Sequence, residues 1–66
     1  MNELKLKVND VCRVIANINK HNFKIGEVVT IIECFSNGKT PHYLCKTEKE
    51  YWYLQDDELK IIERIN

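Results

Sequence analysis

The sequence has no excess charge of either sign and no long apolar run. Ten Lys and Arg residues balance ten Asp and Glu residues, so the formal charge of the 66-residue chain is zero. A nucleic-acid-binding domain usually carries a basic surface, and the balance therefore disfavours that class. No apolar stretch approaches the ~20 residues of a membrane-spanning helix, and no signal peptide is visible. We therefore expect a protein that does not enter a membrane.

Closely spaced cysteines are also missing. Cys12, Cys34 and Cys45 form an odd, widely spaced set, whereas a small secreted domain more often uses an even set of paired cysteines. The spacing of His42 and Cys45 would place their side chains on opposite faces of a strand, which does not suit zinc. No Cys, His and Asp arrangement matches a nucleophile signature. We expect reduced thiols, a cytoplasmic location, no cofactor, no metal and no enzymatic activity.

Composition favours one small globular domain spanning residues 1–66. Hydrophobic residues make up 44% and charged residues 30% of the chain, as in ordinary folded domains. A chain of this size buries only about 60% of its unfolded surface, which leaves little material for a deep catalytic cleft. Lys, Ile and Asn together account for 23 of 66 residues. This bias is typical of AT-rich genomes and indicates a low-GC bacterium or its phage.

Charge is uneven along the chain. Residues 1–25 contain five basic and two acidic residues, whereas residues 47–66 contain three basic and six acidic residues. If the two ends pair in one sheet, we expect them to neutralise each other, although two separately solvated faces would also fit.

The strongest structural signal is the run of five β-branched residues from Val28 to Ile32. Such side chains favour a strand and resist a helix. Since both faces are apolar, we expect the strand to be covered on both sides or to lie where the sheet coils on itself. Gly26 precedes it at a tight entry that predicts a positive φ. Alternation or β-branched content predicts further strands at residues 4–8, 11–16, 42–47, 51–54 and 60–63. No long amphipathic helix and no repeat is evident.

Turns separate these predicted strands. Asn37-Gly38 favours a type I′ hairpin, and residues 48–50 form a charged turn. Residues 55–59 predict one helical or 3₁₀ turn with Asp56 as its N-cap, because acids favour the N-terminal end of a helix. Residues 17–24 lack a usable period and predict a long loop. The sequence thus indicates an all-β fold of five to six short strands.

The order of these elements resembles small SH3-like barrel proteins of bacteria and phages. Residues 8–15 (VNDVCRVI) resemble the V-G-D-x-V-R-V-I opening of that family, with Asn9 at the glycine position, where asparagine also tolerates a left-handed conformation. Residues 23–33, 51–54 and 57–59 resemble the later strands and the turn before the last strand. The resemblance implies a small SH3-like barrel with one 3₁₀ turn before the last strand. It also implies a core, formed by Cys12, Val14, Phe23, Val29, Ile31, Cys45, Leu54 and Leu59, with Ile61 or Ile62 closing the barrel.

The resemblance does not extend to the groove that binds proline-rich peptides. The positions of its aromatic walls hold residues 14–17 (VIAN), His42, Gln55 and Glu58, so we do not expect proline-rich ligands. Barrels of the KOW type bind RNA through basic loops. Lys20, His21 and Lys24 could serve in that way, but two lysines do not make a basic patch.

Three stretches are candidate contact surfaces. Tyr51 and Tyr53 should be exposed, because Trp52 shares the inner face with Leu54; aromatic residues are enriched at binding hot spots, although packing alone also explains such a pair. The other candidates are Lys20, His21 and Asn22 in the long loop and Asp56, Asp57 and Glu58 in the acidic turn, which also fit a capped turn.

We expect a small phage or mobile-element accessory protein that contacts or inhibits a host or phage protein in the host cytoplasm, with anti-defence inhibition as one subtype. The alternative is a nucleic-acid-binding barrel of the KOW or Tudor-like type. The chain could be a monomer or a weak homodimer. Residues 4–8 could pair within the barrel or with another chain.

Overall fold

The computed structural model describes residues 5–18, 20–36 and 41–64. In this part of the chain, loops connect five antiparallel strands and one 3₁₀ turn. The elements are β1 (Val11–Val14), β2 (Val28–Phe35), β3 (His42–Lys46), β4 (Tyr51–Gln55), the 3₁₀ turn (Asp56–Glu58) and β5 (Leu59–Glu63). In these residues no helix is long and apolar enough to cross a membrane. The all-β prediction is confirmed. The predicted Asn37-Gly38 hairpin lies outside the described residues.

The strands follow the order β4-β3-β2-β1-β5, and every neighbouring pair is antiparallel. β2 holds the sheet together, because its first half pairs with β1 and its second half with β3. Its register shifts between Ile31 and Glu33, and such a bulge bends a strand. The long loop follows β1 and the single 3₁₀ turn of the described residues precedes β5, as the sequence predicted.

The predicted strand at residues 4–8 is wrong over its described part. Residues 5–10 form bends and turns instead. The carboxylate of Asp10 accepts a hydrogen bond from the Lys7 amide at 2.9 Å, and Asn9 has a φ of 78°. A side chain that bonds nearby backbone competes with strand pairing. Leu6 is nevertheless buried, which accounts for part of the alternating pattern.

The eight residues predicted for the core are all buried, and Leu6 and Tyr43 join them. The prediction that Ile61 or Ile62 closes the barrel is wrong, since these side chains are 37% and 49% exposed. β5 lies at the edge of the sheet, so a neighbouring strand covers it on one side only. The expectation that both faces of β2 are covered is met only in part: Val29 and Ile31 are buried, whereas on the other face Thr30 and Ile32 are partly buried and Val28 is exposed.

Candidate functional site

An exposed group of aromatic side chains lies on the outer side of β2, β3 and β4. Tyr43 and Cys45 of β3 are fully buried, and alternation therefore turns His42 and Leu44 outward. The register places His42 opposite Phe35, and Leu44 opposite Tyr53. We call the resulting surface the aromatic face, and it consists of Phe35, His42, Leu44, Tyr51 and Tyr53.

Three rings of the aromatic face are in mutual contact. The rings of Phe35 and His42 are stacked, with centroids 5.0 Å apart and planes 14° from parallel. The ring of Tyr53 lies tilted against both, at 5.8 Å from Phe35 and 6.4 Å from His42. Cross-strand aromatic pairs of this kind stabilise a sheet surface and hold the rings in place.

The two tyrosines of the face are open to solvent, as predicted. Tyr51 is 67% exposed and Tyr53 is 53% exposed. An open cavity of about 180 Å³ lies beside the ring cluster and is lined by His42, Tyr53, Leu54 and Gln55. Phe35 and His42 are partly buried. The face thus combines exposed apolar area with a small depression.

His21 was predicted as a contact residue, and the structure shows that this is wrong because its side chain is buried. The ring Nδ1 accepts a hydrogen bond from the Phe23 amide at 3.2 Å, and Nε2 lies 2.7 Å from the Ala16 carbonyl oxygen. Because an amide donates to Nδ1 and a carbonyl oxygen can only accept, Nε2 is the donor to Ala16. His21 therefore stabilises the long loop and is not presented to a partner.

Glu58 was predicted as a contact residue in the acidic turn, and this too is wrong, since it is fully buried. Its Oε1 accepts from the Gln55 amide at 2.7 Å and its Oε2 from the Ile18 amide at 2.8 Å. Gln55, in extended conformation, is the N-cap of the turn, and the prediction of Asp56 is wrong. Carboxylates beside free N-terminal amides of a helical turn satisfy donors that would otherwise be unpaired.

The other predicted contact residues remain at or near the surface. Lys20 and Asn22 are exposed, and Lys20 has a φ of 57°. Asp57 is exposed, whereas Asp56 is partly buried. Asp56 accepts a hydrogen bond from the Tyr43 hydroxyl at 2.9 Å and lies 3.7 Å from the Lys5 ammonium group. Burial and the Asp56 carboxylate raise the pKa of Tyr43.

The cysteines do not form a reactive centre. Burial raises the pKa of Cys12 to about 11 and that of Cys45 to about 12, and it also raises the pKa of Cys34. Nearly all thiol is then protonated at neutral pH, and a thiol is a poor nucleophile and metal ligand. Among the described residues, no group of three His, Cys, Asp or Glu side chains could hold a metal ion.

A second open cavity of about 510 Å³ lies between the start of β2 and the β3–β4 turn. Two lysines and two glutamates are among its lining residues, which are Glu27, Val28, Thr30, Lys46, Thr47, Glu48 and Lys49. Because charges of both signs are mixed there, the cavity favours neither an anionic nor a cationic ligand.

Phe35, His42 and Leu44 are the residues of the aromatic face that the sequence analysis did not identify. Cys45 was correctly predicted to be buried, and alternation back from it would have turned His42 outward. The stacking on Phe35 could not be found in this way, because it depends on the β2–β3 register after the bulge between Ile31 and Glu33.

No protein-family model matches the chain, and neither the curated proteins nor the solved structures gave a significant match.

Proposed function

We propose that this chain is a non-enzymatic protein-binding module and that the aromatic face is its contact surface. The observation that carries the proposal is the fixed cluster of Phe35, His42 and Tyr53 on the outer side of the sheet, with Tyr51 exposed beside it. Tyrosine supplies a large contact area at low entropic cost and is enriched at binding hot spots. Rings that already pack against each other lose little further freedom on binding.

Charge around the face supports a protein partner over a nucleic acid. Glu33 lies opposite Leu44 in the register, and Asp56 and Asp57 follow β4 directly. Lys46, opposite Tyr51, is the nearest basic residue in the register. Exposed aromatic rings can stack on bases, but such sites combine stacking with a positively charged groove. The mixed charges here and the zero formal charge fit a protein surface better.

The absence of catalysis is also part of the proposal. The thiols of Cys12 and Cys45 are protonated because burial raises the pKa of each. Both nitrogens of His21 are engaged by backbone groups, so neither is available to take a proton from a substrate. These facts support a role in contact.

The biological setting that we propose is the host cytoplasm, with the chain acting as a phage or mobile-element accessory protein that contacts or inhibits a host protein. Its support is compositional: the Lys, Ile and Asn content is typical of AT-rich genomes. A single small barrel of this kind can act by covering a surface on a larger protein, including one that belongs to a defence system.

Affinity capture from a low-GC bacterial lysate tests the contact surface. We expect the unmodified chain to retain a partner at physiological salt, and the Tyr51→Ala, Tyr53→Ala double variant to lose it. The control is Ile25→Ala, Ile62→Ala, which removes exposed side chains outside the face and should retain the partner. Equal capture by both double variants would contradict the assignment of the aromatic face as the contact surface. Binding of single-stranded RNA or DNA near 50 mM salt that fades as salt rises would instead indicate the nucleic-acid alternative.

A further inference from the structure

The free edge of β4 presents its main-chain N–H and C=O groups at every second residue. Neighbouring residues of an antiparallel strand alternate between pointing their N–H and C=O groups at the paired strand and pointing them away. At one end of the β3–β4 pair the Thr47 amide donates to the Glu50 carbonyl at 2.8 Å, and at the other end the Asp56 amide donates to the Pro41 carbonyl at 3.1 Å. The register between them is unbroken.

Glu50 and Asp56 therefore lie on the same side of the alternation, and so do Trp52 and Leu54 between them. These residues point their main-chain groups toward β3. Tyr51, Tyr53 and Gln55 point theirs toward the open edge. The Gln55 amide confirms this direction, because it donates to the Glu58 carboxylate at 2.7 Å and not to β3. In the described residues no strand pairs with the other side of β4, so Tyr51 and Tyr53 offer two donors and two acceptors there.

The edge also lacks the features that usually prevent strand addition. Natural edges carry lysine, proline, a bulge or an inward-pointing charge. From Tyr51 to Gln55 there is no proline and no Asp, Glu, Lys or Arg, and the β3–β4 register has no shift. The opposite edge, β5, contains Lys60 and Glu63. β4 is thus the unprotected edge of the sheet.

Trp52 shows that this edge is incompletely covered. It lies opposite Cys45, which is fully buried, and so faces the inner side of the sheet. It is nevertheless 43% exposed. An inward-facing tryptophan with this exposure leaves apolar area that a further strand would remove from water.

We propose that a second copy of this chain pairs with β4 in antiparallel orientation, across a twofold axis at Trp52. In this register Tyr51 lies opposite Tyr53 of the second copy, and Tyr53 lies opposite its Tyr51. All the free main-chain donors and acceptors of the two tyrosines are then paired, which gives four hydrogen bonds. The two Trp52 side chains meet on the inner side, and the uncharged strands do not repel each other.

Neighbouring registers fit less well. An axis at Tyr53 would place Tyr51 opposite Gln55, whose amide is already donated to Glu58. An axis at Tyr51 would place the Glu50 carboxylate opposite Trp52.

A contact limited to one short strand buries far less than the ~1,600 Å² of a standard interface, so the dimer should be weak. It goes beyond the proposed function, because it would join two aromatic faces into one continuous surface.

Analytical ultracentrifugation of purified chain from micromolar to millimolar concentration tests the dimer. We expect the average mass to rise toward two chains. Tyr51→Pro removes an amide that points away from β3, and proline is tolerated at the first residue of an edge strand, so this variant should fold and stay monomeric. Tyr51→Ala is the matched control, because it removes the same ring but keeps the amide, and it should retain concentration dependence. Circular dichroism checks that both variants are folded.

Amide hydrogen exchange on the unmodified chain gives a test that does not depend on any variant. The amides of Tyr51 and Tyr53 should exchange more slowly as concentration rises, whereas those of Trp52 and Leu54 should be protected throughout. A chain that stays monomeric at millimolar concentration would overturn the proposal. The β4 edge would then be exposed to solvent or pair with a strand of another protein. A dimer in which Tyr51 and Tyr53 still exchange fast, or one that a folded Tyr51→Pro variant still forms, would also overturn the proposal.

Discussion

Glu58 connects two segments that are 40 residues apart in the sequence. Its carboxylate is fully buried, with one oxygen on the Gln55 amide and the other on the Ile18 amide. Its own carbonyl oxygen accepts from the Ile15 amide at 2.9 Å. A buried polar group is tolerated only where hydrogen bonds compensate for lost hydration. Glu58 therefore fastens the long loop after β1 to the 3₁₀ turn before β5.

Replacing Glu58 by alanine should be strongly destabilising. The change removes the acceptor of two part-buried hydrogen bonds, those from the Ile18 and Gln55 amides, and we expect the free energy of unfolding to fall by about 2–3 kcal/mol. Glu58→Gln should lose less, because its amide oxygen can still accept one of the two bonds. Urea unfolding measures both effects. The neighbouring exposed residue provides a control, since Asp57→Ala should change stability by less than about 0.5 kcal/mol; an equally small effect of Glu58→Ala would contradict the assignment.

Residue patterns in the sequence predicted the apolar core but not the buried polar groups. Alternation and β-branched content identified Val14, Val29 and Ile31 correctly. His21 and Glu58 lie in polar stretches, and no sequence pattern indicates that backbone groups elsewhere in the chain form hydrogen bonds with their side chains. Their burial depends on how the long loop and the turn approach each other, which is a tertiary property.

At the scale of elements, the turn at residues 24–27 guides the long loop back into the sheet. The Gly26 amide donates to the Val14 carbonyl at 2.7 Å, and the Glu27 amide donates to the Lys24 carbonyl at 3.0 Å. Gly26 has a φ of +96°, as its position before β2 predicted. This local requirement was visible in the sequence because glycine alone takes such a conformation without strain.

Gly26→Ala should therefore destabilise the fold through the backbone alone. A Cβ atom added at this position would meet no atom within 4 Å, so steric contact contributes nothing. The left-handed conformation should cost about 1–2 kcal/mol. Gly26→Asn should cost less, because asparagine tolerates positive φ. Thermal unfolding of the two variants checks the order, and equal losses for alanine and asparagine would show that the side chain, not φ, sets the cost.

Element types were predictable where the signal was local, as in β2 and β4. Residues 4–8 show the limit. Their alternation favoured a strand, but the Asp10 carboxylate bonds the Lys7 amide and turns the chain. The competing interaction involves a residue outside the alternating stretch, so the hydrophobic pattern could not reveal it.

At the scale of the whole molecule, an ion pair between Asp10 and Arg64 links the segment before β1 to the segment after β5. The Arg64 Nη2 atom lies 3.0 Å from Asp10 Oδ2 and also donates to the Lys5 carbonyl oxygen at 2.9 Å. The sheet order brings them together, because β5 lies next to β1. The sequence had suggested that a basic first part and an acidic last part neutralise each other. In this pair the first part supplies the acid and the last part the base, whereas Lys5 and Asp56, 3.7 Å apart, pair in the expected sense.

The Asp10 carboxyl group makes the stability of the whole fold depend on pH. Burial acts to raise its pKa, but the hydrogen bonds from Arg64 and from the Lys7 amide outweigh burial, and the folded pKa is lowered. The unfolded chain has an aspartate pKa of about 3.9. Folding therefore favours the carboxylate, and its contribution is complete above about pH 4 and is lost as pH falls through the lower, folded value.

Asp10→Asn should accordingly remove part of the acid sensitivity. At neutral pH the variant should be less stable than the unmodified chain, because the amide cannot replace the ionic bonds to Arg64. As the pH is lowered below about 4, the unmodified chain should lose stability more steeply, so that the two curves converge. Urea midpoints measured across this range test the expectation, with the exposed Asp57→Asn as the control that keeps the original slope. Parallel curves for the Asp10 variant and the unmodified chain would show that protonation of Asp10 is not linked to folding. The charge of the Asp10–Arg64 pair would then not contribute to the stability of the fold.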